Sequence, residues 1–401
     1  MESSTADGSG RTLRERILLL PENYIGSVER CTQKHWVLEH GAMARRPTTY
    51  VPGLDKIFDE VLVHAAGNKQ RDPAMDSLRV EVDVEECRIS VYYNGTGVPV
   101  QVHREEGVYM PEMVFGDHLA GSCDDSVEIA GSGGRSNVGV NLANIFSTEF
   151  TVETADGHRR KKYKQVFSEN MGKKSEPQIT ECLQGENWTR VTFKPDLDKF
   201  NMSRLEDDVV ILMKKRVVEM AAILGITVQV EFNSRRVPIN SFLSYINRYI
   251  KGSSRERQEA LPRIHEKVND QREVCLSLSE GQFEQISFVN KIATTRGGTH
   301  IDYVSDQIAS HVVSVLKELR RPSMTEDQVK SHFWVFVNVL TENPTFDSPT
   351  REALITPQGS LGSTCQLSDI FLRKGLLTLV LWANCTPGIG NVQDRVNSKK
   401  K

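Results

Sequence analysis

One helical segment, residues 53–68, constrains the fold of this chain more than any other part of the sequence. Its apolar residues recur at helical spacing and form one stripe, which predicts a helix packed on a core: Leu54, Ile57, Phe58, Val61, Leu62 and Ala65. Glu60, His64 and Asn68 follow one another at intervals of four residues, so they share another face of that helix. A carboxylate, an imidazole and an amide in line suggest a site. Without further support, however, the polar shoulder of an amphipathic helix is the better explanation.

The size and composition of the chain are those of a soluble globular protein. Its 401 residues suffice for two to three domains with cores of their own. The net charge of −3 provides no global field that would attract nucleic acid, so any DNA contact must come from local patches. The seven cysteines are scattered, which argues against a zinc site or a disulfide framework and for a reducing compartment. We find no signal peptide and no membrane-spanning run, so no membrane partner is expected.

Apolar periodicity divides the chain into strands, helices and glycine-rich connections. Alternation predicts three hairpins, at residues 78–93, 150–167 and 226–239. Helical spacing predicts helices at residues 140–146, 205–224 and 299–319. A strand at residues 285–289, the last of these helices and a strand at residues 333–340 together predict a βαβ crossover. Residues 252–263 are polar and predict a boundary between two α/β domains, near 1–251 and 252–385.

Two glycine-rich segments complete a constellation with the first helix. The second strand of the first hairpin runs into Tyr93-Asn94-Gly95-Thr96-Gly97, and a later loop, Gly131-Ser-Gly-Gly134-Arg135-Ser-Asn-Val-Gly139, opens a helix. A helix with Glu and Asn, a strand that ends in Asn-Gly-x-Gly, and a glycine loop before a helix occur in this fixed order. The order resembles that of the GHKL ATPases.

Six further segments make the resemblance specific to the N-terminal half of the eukaryotic type IIA DNA topoisomerases. They are Tyr24-Ile-Gly-Ser27, Tyr50-Val-Pro-Gly-Leu54, Asn68-Lys-Gln-Arg-Asp-Pro73, Asn144-Ile-Phe-Ser-Thr148, Gly298-Thr-His-Ile-Asp-Tyr303 and Glu342-Asn-Pro-Thr-Phe-Asp-Ser348. The resemblance covers about residues 13–372. It implies an α+β fold: a GHKL (Bergerat) two-layer α/β sandwich followed by a transducer domain with a split βαβ, ribosomal-protein-like fold.

The resemblance also implies a domain plan. Residues 1–28 would form an N-terminal strap, disordered in part; residues 29–251 the GHKL ATPase-like domain; residues 252–385 the transducer; and residues 386–401 a divergent basic tail. The implied activity is that of an ATP-operated gate, which dimerises around a DNA duplex. The TOPRIM metal site and the DNA-cleaving tyrosine of the family are not found, so this chain alone is not expected to cleave DNA. The implied partners are a second copy of the chain, DNA and full-length topoisomerase II, and the implied location is the nucleus.

ATP and Mg²⁺ are the cofactors that the resemblance implies. Glu60 corresponds to the general base of ATP hydrolysis. The positions that correspond to ATP contacts are His64, Asn68, Tyr93, Asn94, Gly95, Gly97, Gly121, Ser122, Cys123, Gly134, Arg135, Ser136, Asn137, Val138, Gly139, Val140, Asn141, Pro349, Thr350 and Arg351. DNA contacts correspond to Arg320 and Arg321, although cations at the end of a helix are equally explained by the helix dipole.

Several of these positions depart from the family pattern. His64 stands at the Mg²⁺-holding position, where the family has an asparagine, and imidazole suits this hard ion poorly. Gly67 replaces an aspartate and Tyr93 replaces the family's Asn or Asp; Asn94 is a substitute shifted by one residue, and neighbouring strand residues face opposite sides. In the phosphate loop, Asn141 replaces a lysine.

These departures leave three functions open. The chain is an active ATP-dependent gate module, a nucleotide-poor pseudo-ATPase that dimerises or regulates a partner, or the product of a decaying gene copy. Each lost hydrogen bond to a charged group is worth about 1.5–3 kcal/mol, so three losses would cost about 5–9 kcal/mol if additive. The sequence therefore predicts weak ATP binding and slow or absent hydrolysis.

Overall fold

The computed structural model describes residues 11–116, 136–253, 261–279, 281–319, 324–360 and 366–385, with side chains except at residues 136–138, 360 and 378–385. The chain folds into two compact units; the first ends at Tyr249 and the second begins at Ile250. Both units combine helices with β-sheet, in agreement with the expected α+β class. Within the described residues, no helix combines the length and the apolar character that crossing a bilayer requires.

The first unit alternates β-hairpins with helices. Its elements are α1 (Leu13–Leu19), α2 (Glu22–Ile25), β1 (Cys31–Glu39), β2 (Ala42–Tyr50), α3 (Pro52–Arg71), β3 (Ser77–Asp83), β4 (Arg88–Asn94), α4 (Met110–Phe115), α5 (Ser136–Ile145), β5 (Ser147–Asp156), β6 (Lys161–Ser168), β7 (Lys173–Lys174), β8 (Gln178–Glu181), β9 (Asn187–Pro195), α6 (Asp207–Leu224), β10 (Gln229–Phe232), β11 (Arg235–Arg236) and α7 (Phe242–Ser253).

The main sheet of the first unit is mixed. Its strands lie in the order β11–β10–β3–β4–β9–β5–β6–β7, with β8 paired to β6. The three predicted hairpins are confirmed as β3–β4, β5–β6 and β10–β11, each antiparallel. Alternation along the first hairpin buries Val80 opposite Val91, as the pattern predicts. The strand ends at Asp83, however, so Val84 lies in the turn and is 40% exposed.

α3 is the helix predicted from the opening segment. Pro52 occupies its first turn, where the missing N–H costs nothing and the fixed φ favours a helix. All six residues of the predicted apolar stripe are at most 1% exposed, which confirms the stripe. α3 packs against α5, α6 and β4. Its last turn closes at Asp72, whose N–H donates to the carbonyl of Asn68 over 2.7 Å.

A buried network of charges fastens α3 to α6. The Arg216 guanidinium donates to Asp59 over 2.5 Å and to Glu219 over 3.2 Å. Tyr245 donates its hydroxyl to the other Glu219 oxygen over 2.9 Å. Burial alone would raise the pKa of Glu219, but the cations of Lys215 and Arg216 hold it below its ordinary value. The network therefore fixes the side of α3 that faces away from the predicted site residues.

Helix boundaries follow the cap residues more closely than the apolar pattern does. α6 ends at Leu224, as predicted, because Gly225 adopts a φ of +73° that suits glycine. α5, by contrast, begins at Ser136, whereas its apolar pattern predicts a start at Val140. The polar first turn of a helix carries no apolar periodicity, so the pattern could not reveal it.

The second unit is a smaller sheet covered by helices. Its elements are β12 (Arg263–Asn269), β13 (Arg272–Leu278), β14 (Glu284–Val289), β15 (Ile292–Ala293), β16 (Gly297–Gly298), α8 (Thr299–Glu318), α9 (Glu326–Lys330), β17 (Phe333–Val339), β18 (Ala353–Leu354) and α10 (Asp369–Cys385).

The predicted βαβ crossover is confirmed in this second unit. β14 and β17 are parallel neighbours, and α8 connects them on one face of the sheet. The strand order is β12–β13–β17–β14–β15. α8 contributes Val304 and Ile308, both fully buried, to a core that also takes Phe333 from β17 and Phe371 from α10. The long-range parallel pairing thus depends on the packing of α8.

Candidate nucleotide site

One face of α3 carries three of the predicted site residues, and that face is buried. Glu60, His64 and Asn68 are 4%, 2% and 0% exposed. A polar shoulder of an amphipathic helix would leave such side chains in water. Because burial of polar groups is costly unless they find partners, their contacts decide what this face can do.

Glu60 forms a buried ion pair with Lys56, one turn earlier in α3. The Lys56 Nζ lies 2.5 Å from Glu60 Oε1, and the two side chains are 5% and 4% exposed. Water screens such a pair poorly, so each charge depends on the other for its compensation. Lys56 therefore fixes one oxygen of the predicted general base.

Helix α5, which follows the glycine-rich loop, packs directly against the Glu60 carboxylate. At Gly139, in the second turn of α5, a β-carbon would lie 2.9 Å from Glu60 Cγ and would overlap the carboxylate itself. Only glycine allows α5 to approach Glu60 this closely. The structure thus brings the predicted base into contact with Gly139, the last glycine of the predicted phosphate loop.

His64 is enclosed by two aromatic rings. Its Nε2 lies 3.3 Å from the hydroxyl oxygen of Tyr93, at the end of β4. The Phe115 ring of α4 contacts the imidazole edge-on, with 5.0 Å between ring centroids. Tyr93 is 1% exposed. The positions that correspond to the metal-holding asparagine and to the Asn or Asp of the glycine motif therefore contact each other.

The His64–Tyr93 pair is uncharged near neutral pH. Burial lowers the pKa of His64 to about 3, and the positive charge of Arg71 acts in the same direction. Burial also raises the pKa of Tyr93. The pair thus presents neither a cation to a phosphate nor an anion to a metal ion.

The buried imidazole predicts a loss of stability in acid that depends on His64. In the unfolded chain this group takes up a proton near its ordinary pKa of about 6.5, whereas in the folded state it does so only near 3. Stability is therefore complete above about pH 6.5 and falls as the pH drops toward 3, by about 2 kcal/mol between pH 7 and pH 5. Urea unfolding at several pH values should show this slope in the wild type and a shallower one in His64→Asn. Equal slopes would contradict it.

The side chains of Asn68 and Asn94 are engaged within the protein. Asn68 Nδ2 donates to the backbone carbonyl of Asn94 over 3.2 Å. Asn94 Oδ1 accepts from the N–H groups of Asp76 and Ser77, over 3.1 and 2.9 Å. Asn94 thus closes the turn that precedes β3, while its neighbour Tyr93 points to the buried side.

The two glycines of the Asn-Gly-x-Gly segment allow close backbone approach. Gly95 has a φ of +91°, and a β-carbon there would lie 2.7 Å from Asp72 Oδ2. At Gly97 a β-carbon would overlap Thr189 Oγ1 and lie 3.1 Å from Thr154 Oγ1. Gly95 therefore packs closely on the end of α3, and Gly97 packs closely on β5 and β9.

The remaining predicted contacts of the first unit and the predicted DNA contacts fall in three groups. Val140 and Asn141 in α5 are 0% and 3% exposed, and Asn141 Oδ1 has no hydrogen-bond partner among the described residues. The backbone of Ser136, Asn137 and Val138 forms the start of α5. Seven residues lie outside the described part of the chain: Gly121, Ser122, Cys123, Gly134, Arg135, Arg320 and Arg321.

The predicted transducer contacts form a tight turn in the second unit. Thr350 Oγ1 lies 2.9 Å from the hydroxyl of Ser348. Arg351 has a φ of +61°, and its N–H donates to the Ser348 carbonyl over 3.0 Å. Pro349 is exposed at the tip of this turn. The turn is thus held by its own hydrogen bonds.

The residues present do not fit a Mg²⁺ ion at His64. Mg²⁺ takes oxygen ligands at octahedral geometry and keeps several waters, whereas this position offers a buried imidazole nitrogen. Within the described residues, no group of three or more His, Cys, Asp or Glu side chains could hold a metal ion.

Sequence reasoning missed three residues of this site: Lys56, Phe115 and Thr189. Lys56 lies four residues before Glu60, a spacing that itself predicts an ion pair on a helix. Phe115 and Thr189 reach the site from α4 and β9. Their apolar or small polar character carries no signal for such contacts.

This arrangement defines a GHKL nucleotide-binding fold, followed by a unit of the transducer type. The family model of DNA gyrase B matches residues 239–373. The ATPase region of topoisomerase II from Saccharomyces cerevisiae is 40% identical, with a TM-score of 0.83 over 91% of this chain and 94% of that one. DNA topoisomerase 2 from Arabidopsis thaliana is 56% identical over 383 residues, which are 92% of this chain and 26% of the relative. Human DNA topoisomerase 2-alpha is 47% identical over 371 residues, 91% of this chain and 24% of the relative.

The chain belongs to the type II DNA topoisomerase family and corresponds to its ATPase region. It spans about a quarter of the length of the curated relatives that it matches. The sequence-based recognition and the expected GHKL and transducer folds are confirmed. These relatives favour the gate over a partner-binding regulator.

Proposed function

We propose that this chain is the nucleotide-operated N-terminal gate of a type II DNA topoisomerase. In this proposal it binds adenine nucleotide at the surface formed by α3, the end of β4 and the start of α5, dimerises in the bound state and thereby captures a DNA duplex. The observation that carries the proposal is the contact between Gly139 and the Glu60 carboxylate. It supports the proposal for two reasons. The N–H groups at the start of α5 can bind phosphate, and the contact places them near the Glu60 carboxylate, which can polarise a water molecule.

Glu60, Lys56 and Gly97 have different roles in this proposal. ATP, when bound, supplies the phosphoanhydride bond whose hydrolysis resets the gate. Glu60 accepts a hydrogen bond from the attacking water, and Lys56 orients the Glu60 carboxylate. Gly97, whose missing β-carbon leaves room for Thr189 Oγ1, lets the Asn-Gly-x-Gly segment that is proposed to contact the nucleotide pack directly on β9. No step passes through Mg²⁺, because the metal position carries His64.

The domain plan and the partners belong to the same proposal. Residues 1–28 act as the strap, residues 29–251 as the nucleotide domain, residues 252–385 as the transducer and residues 386–401 as a basic tail. A second copy joins through the strap and the nucleotide domain. DNA is held by the transducer, at Arg320 and Arg321, and the protein acts in the nucleus. The family likeness supports each of these assignments.

Nucleotide-dependent dimerisation tests the proposal. In sedimentation of the full chain, a non-hydrolysable ATP analogue should convert monomer to dimer. Gly97→Ala should remain monomeric, because its β-carbon overlaps Thr189 Oγ1, whereas Gly359→Ala, with no heavy atom within 4 Å of its β-carbon, should behave as wild type. A wild-type chain that stays monomeric at saturating analogue would refute the proposal.

A further inference from the structure

We infer that this chain binds its nucleotide without a Mg²⁺ ion, because His64 and Tyr93 close on each other where the family holds that ion. The inference rests on the nucleotide binding proposed above and concerns how that site recognises its ligand. It predicts that affinity for the nucleotide is independent of divalent cations, and that one substitution at residue 64 restores the dependence.

The enclosure of His64 leaves no room for a hydrated ion. A Mg²⁺ ion at a nucleotide keeps several water ligands, because it dehydrates reluctantly. His64 is 2% exposed, with Phe115 packed edge-on at 5.0 Å and Tyr93 Oη at 3.3 Å. A hydrated ion would have to displace both aromatic side chains, each of which is itself buried.

The donor atoms around His64 are also a poor match for this ion. Glu60, the carboxylate on the same face of α3, is paired with Lys56 and covered by Gly139. The Asn68 amide nitrogen donates to a backbone carbonyl. The Asn68 Oδ1 atom is therefore the oxygen of this α3 face that could coordinate an ion near His64. One amide oxygen and one imidazole nitrogen are a poor substitute for an octahedral set of oxygens.

Positive potential for the phosphates remains available without the ion. The N-terminus of α5 presents backbone N–H groups, which favour anions at a helix of this length. Lys56 does not add to this potential, because Glu60 compensates its charge. The partial positive charge of these N–H groups attracts phosphate in the absence of a metal ion, so nucleotide binding without the ion is chemically consistent.

Calorimetric titration of the full chain with the non-hydrolysable ATP analogue, in excess Mg²⁺ and in EDTA, is the direct experiment. For the wild type we expect dissociation constants that agree within about twofold. His64→Asn, which supplies an amide oxygen, should bind the analogue about tenfold more tightly in Mg²⁺ than in EDTA. His300→Asn is the matched control, since His300 is equally buried but lies in the second unit; it should show no such difference.

Electron paramagnetic resonance of Mn²⁺, used as a Mg²⁺ substitute, gives a second reading. The nucleotide-bound wild type should immobilise no more Mn²⁺ than the nucleotide alone, and nucleotide-bound His64→Asn should immobilise one further ion. Wild-type binding that is lost in EDTA would overturn the inference and leave the proposed function standing. Absence of binding in both buffers would refute the proposed function, and the inference with it. If His64→Asn does not fold, the two wild-type measurements still decide.

Discussion

Glu60→Ala is expected to destabilise the protein by about 3–5 kcal/mol, apart from any effect on turnover, because it leaves the buried Lys56 ammonium without its anion. The family role of Glu60 alone would predict lost hydrolysis in an otherwise normal protein. Lys56 is 5% exposed and cannot reach water without disturbing α3. Urea unfolding followed by circular dichroism should show a lower midpoint with an unchanged slope.

A double-mutant cycle separates the ion pair from other contacts of Glu60. Lys56→Met and Glu60→Leu should each cost about as much as Glu60→Ala, whereas the two combined should lie close to the wild type, since apolar residues of similar volume often replace a buried ion pair without loss. Additive single effects would show that the two charges do not interact. Stability must therefore be measured before reduced turnover of any Glu60 variant is assigned to chemistry.

Periodicity predicted α3 and its polar face well, because both properties depend on neighbours within one turn of a helix. The apolar stripe of Leu54 to Ala65 is buried as expected. The ion pair of Glu60 with Lys56 is equally local and could have been predicted from the same spacing. Sequence reasoning therefore succeeded for contacts within single elements and for the pairing of β14 with β17 and of the strands of each hairpin.

Side-chain contacts between elements that are distant in sequence could not be predicted. His64 and Tyr93 are 29 residues apart, and only the packing of α3 on β4 brings the imidazole to the phenol. The local use of Asn94, which closes a turn with Asp76 and Ser77, likewise depends on the register of β3 and β4. Strand geometry did predict that Tyr93 and Asn94 face opposite sides. It could not say which of the two would face the site.

The family pattern and the local chemistry give different information about residue 64. The family pattern assigns this position to a metal ligand, whereas His64 is a buried, uncharged imidazole that does not suit a Mg²⁺ ion. At Gly67, three residues later, a β-carbon would have no heavy atom within 4 Å, so the substitution of glycine for the family's aspartate leaves open space. The altered positions therefore differ in their surroundings: His64 is enclosed by other side chains, whereas Gly67 faces open space.

Gly139→Ala is expected to lower stability by about 1–3 kcal/mol and to abolish nucleotide binding, because its β-carbon would overlap the Glu60 carboxylate. Helix propensity acts in the opposite direction, since alanine is favoured over glycine by about 1 kcal/mol within a helix. The steric effect should prevail because Glu60 cannot retreat: Lys56 holds one of its oxygens in the buried interior. Thermal unfolding and calorimetric titration with the ATP analogue measure the two effects.

Gly67→Ala is the matched control, since it makes the same change within α3 but meets open space. It should raise stability by about 1 kcal/mol, the gain in helix propensity without a clash. Opposite signs for the two glycines would establish that α5 approaches Glu60 closely enough to require glycine. If Gly139→Ala were instead as stable as Gly67→Ala and bound the analogue normally, α5 would lie farther from Glu60, and the contact that carries the proposed function would be lost.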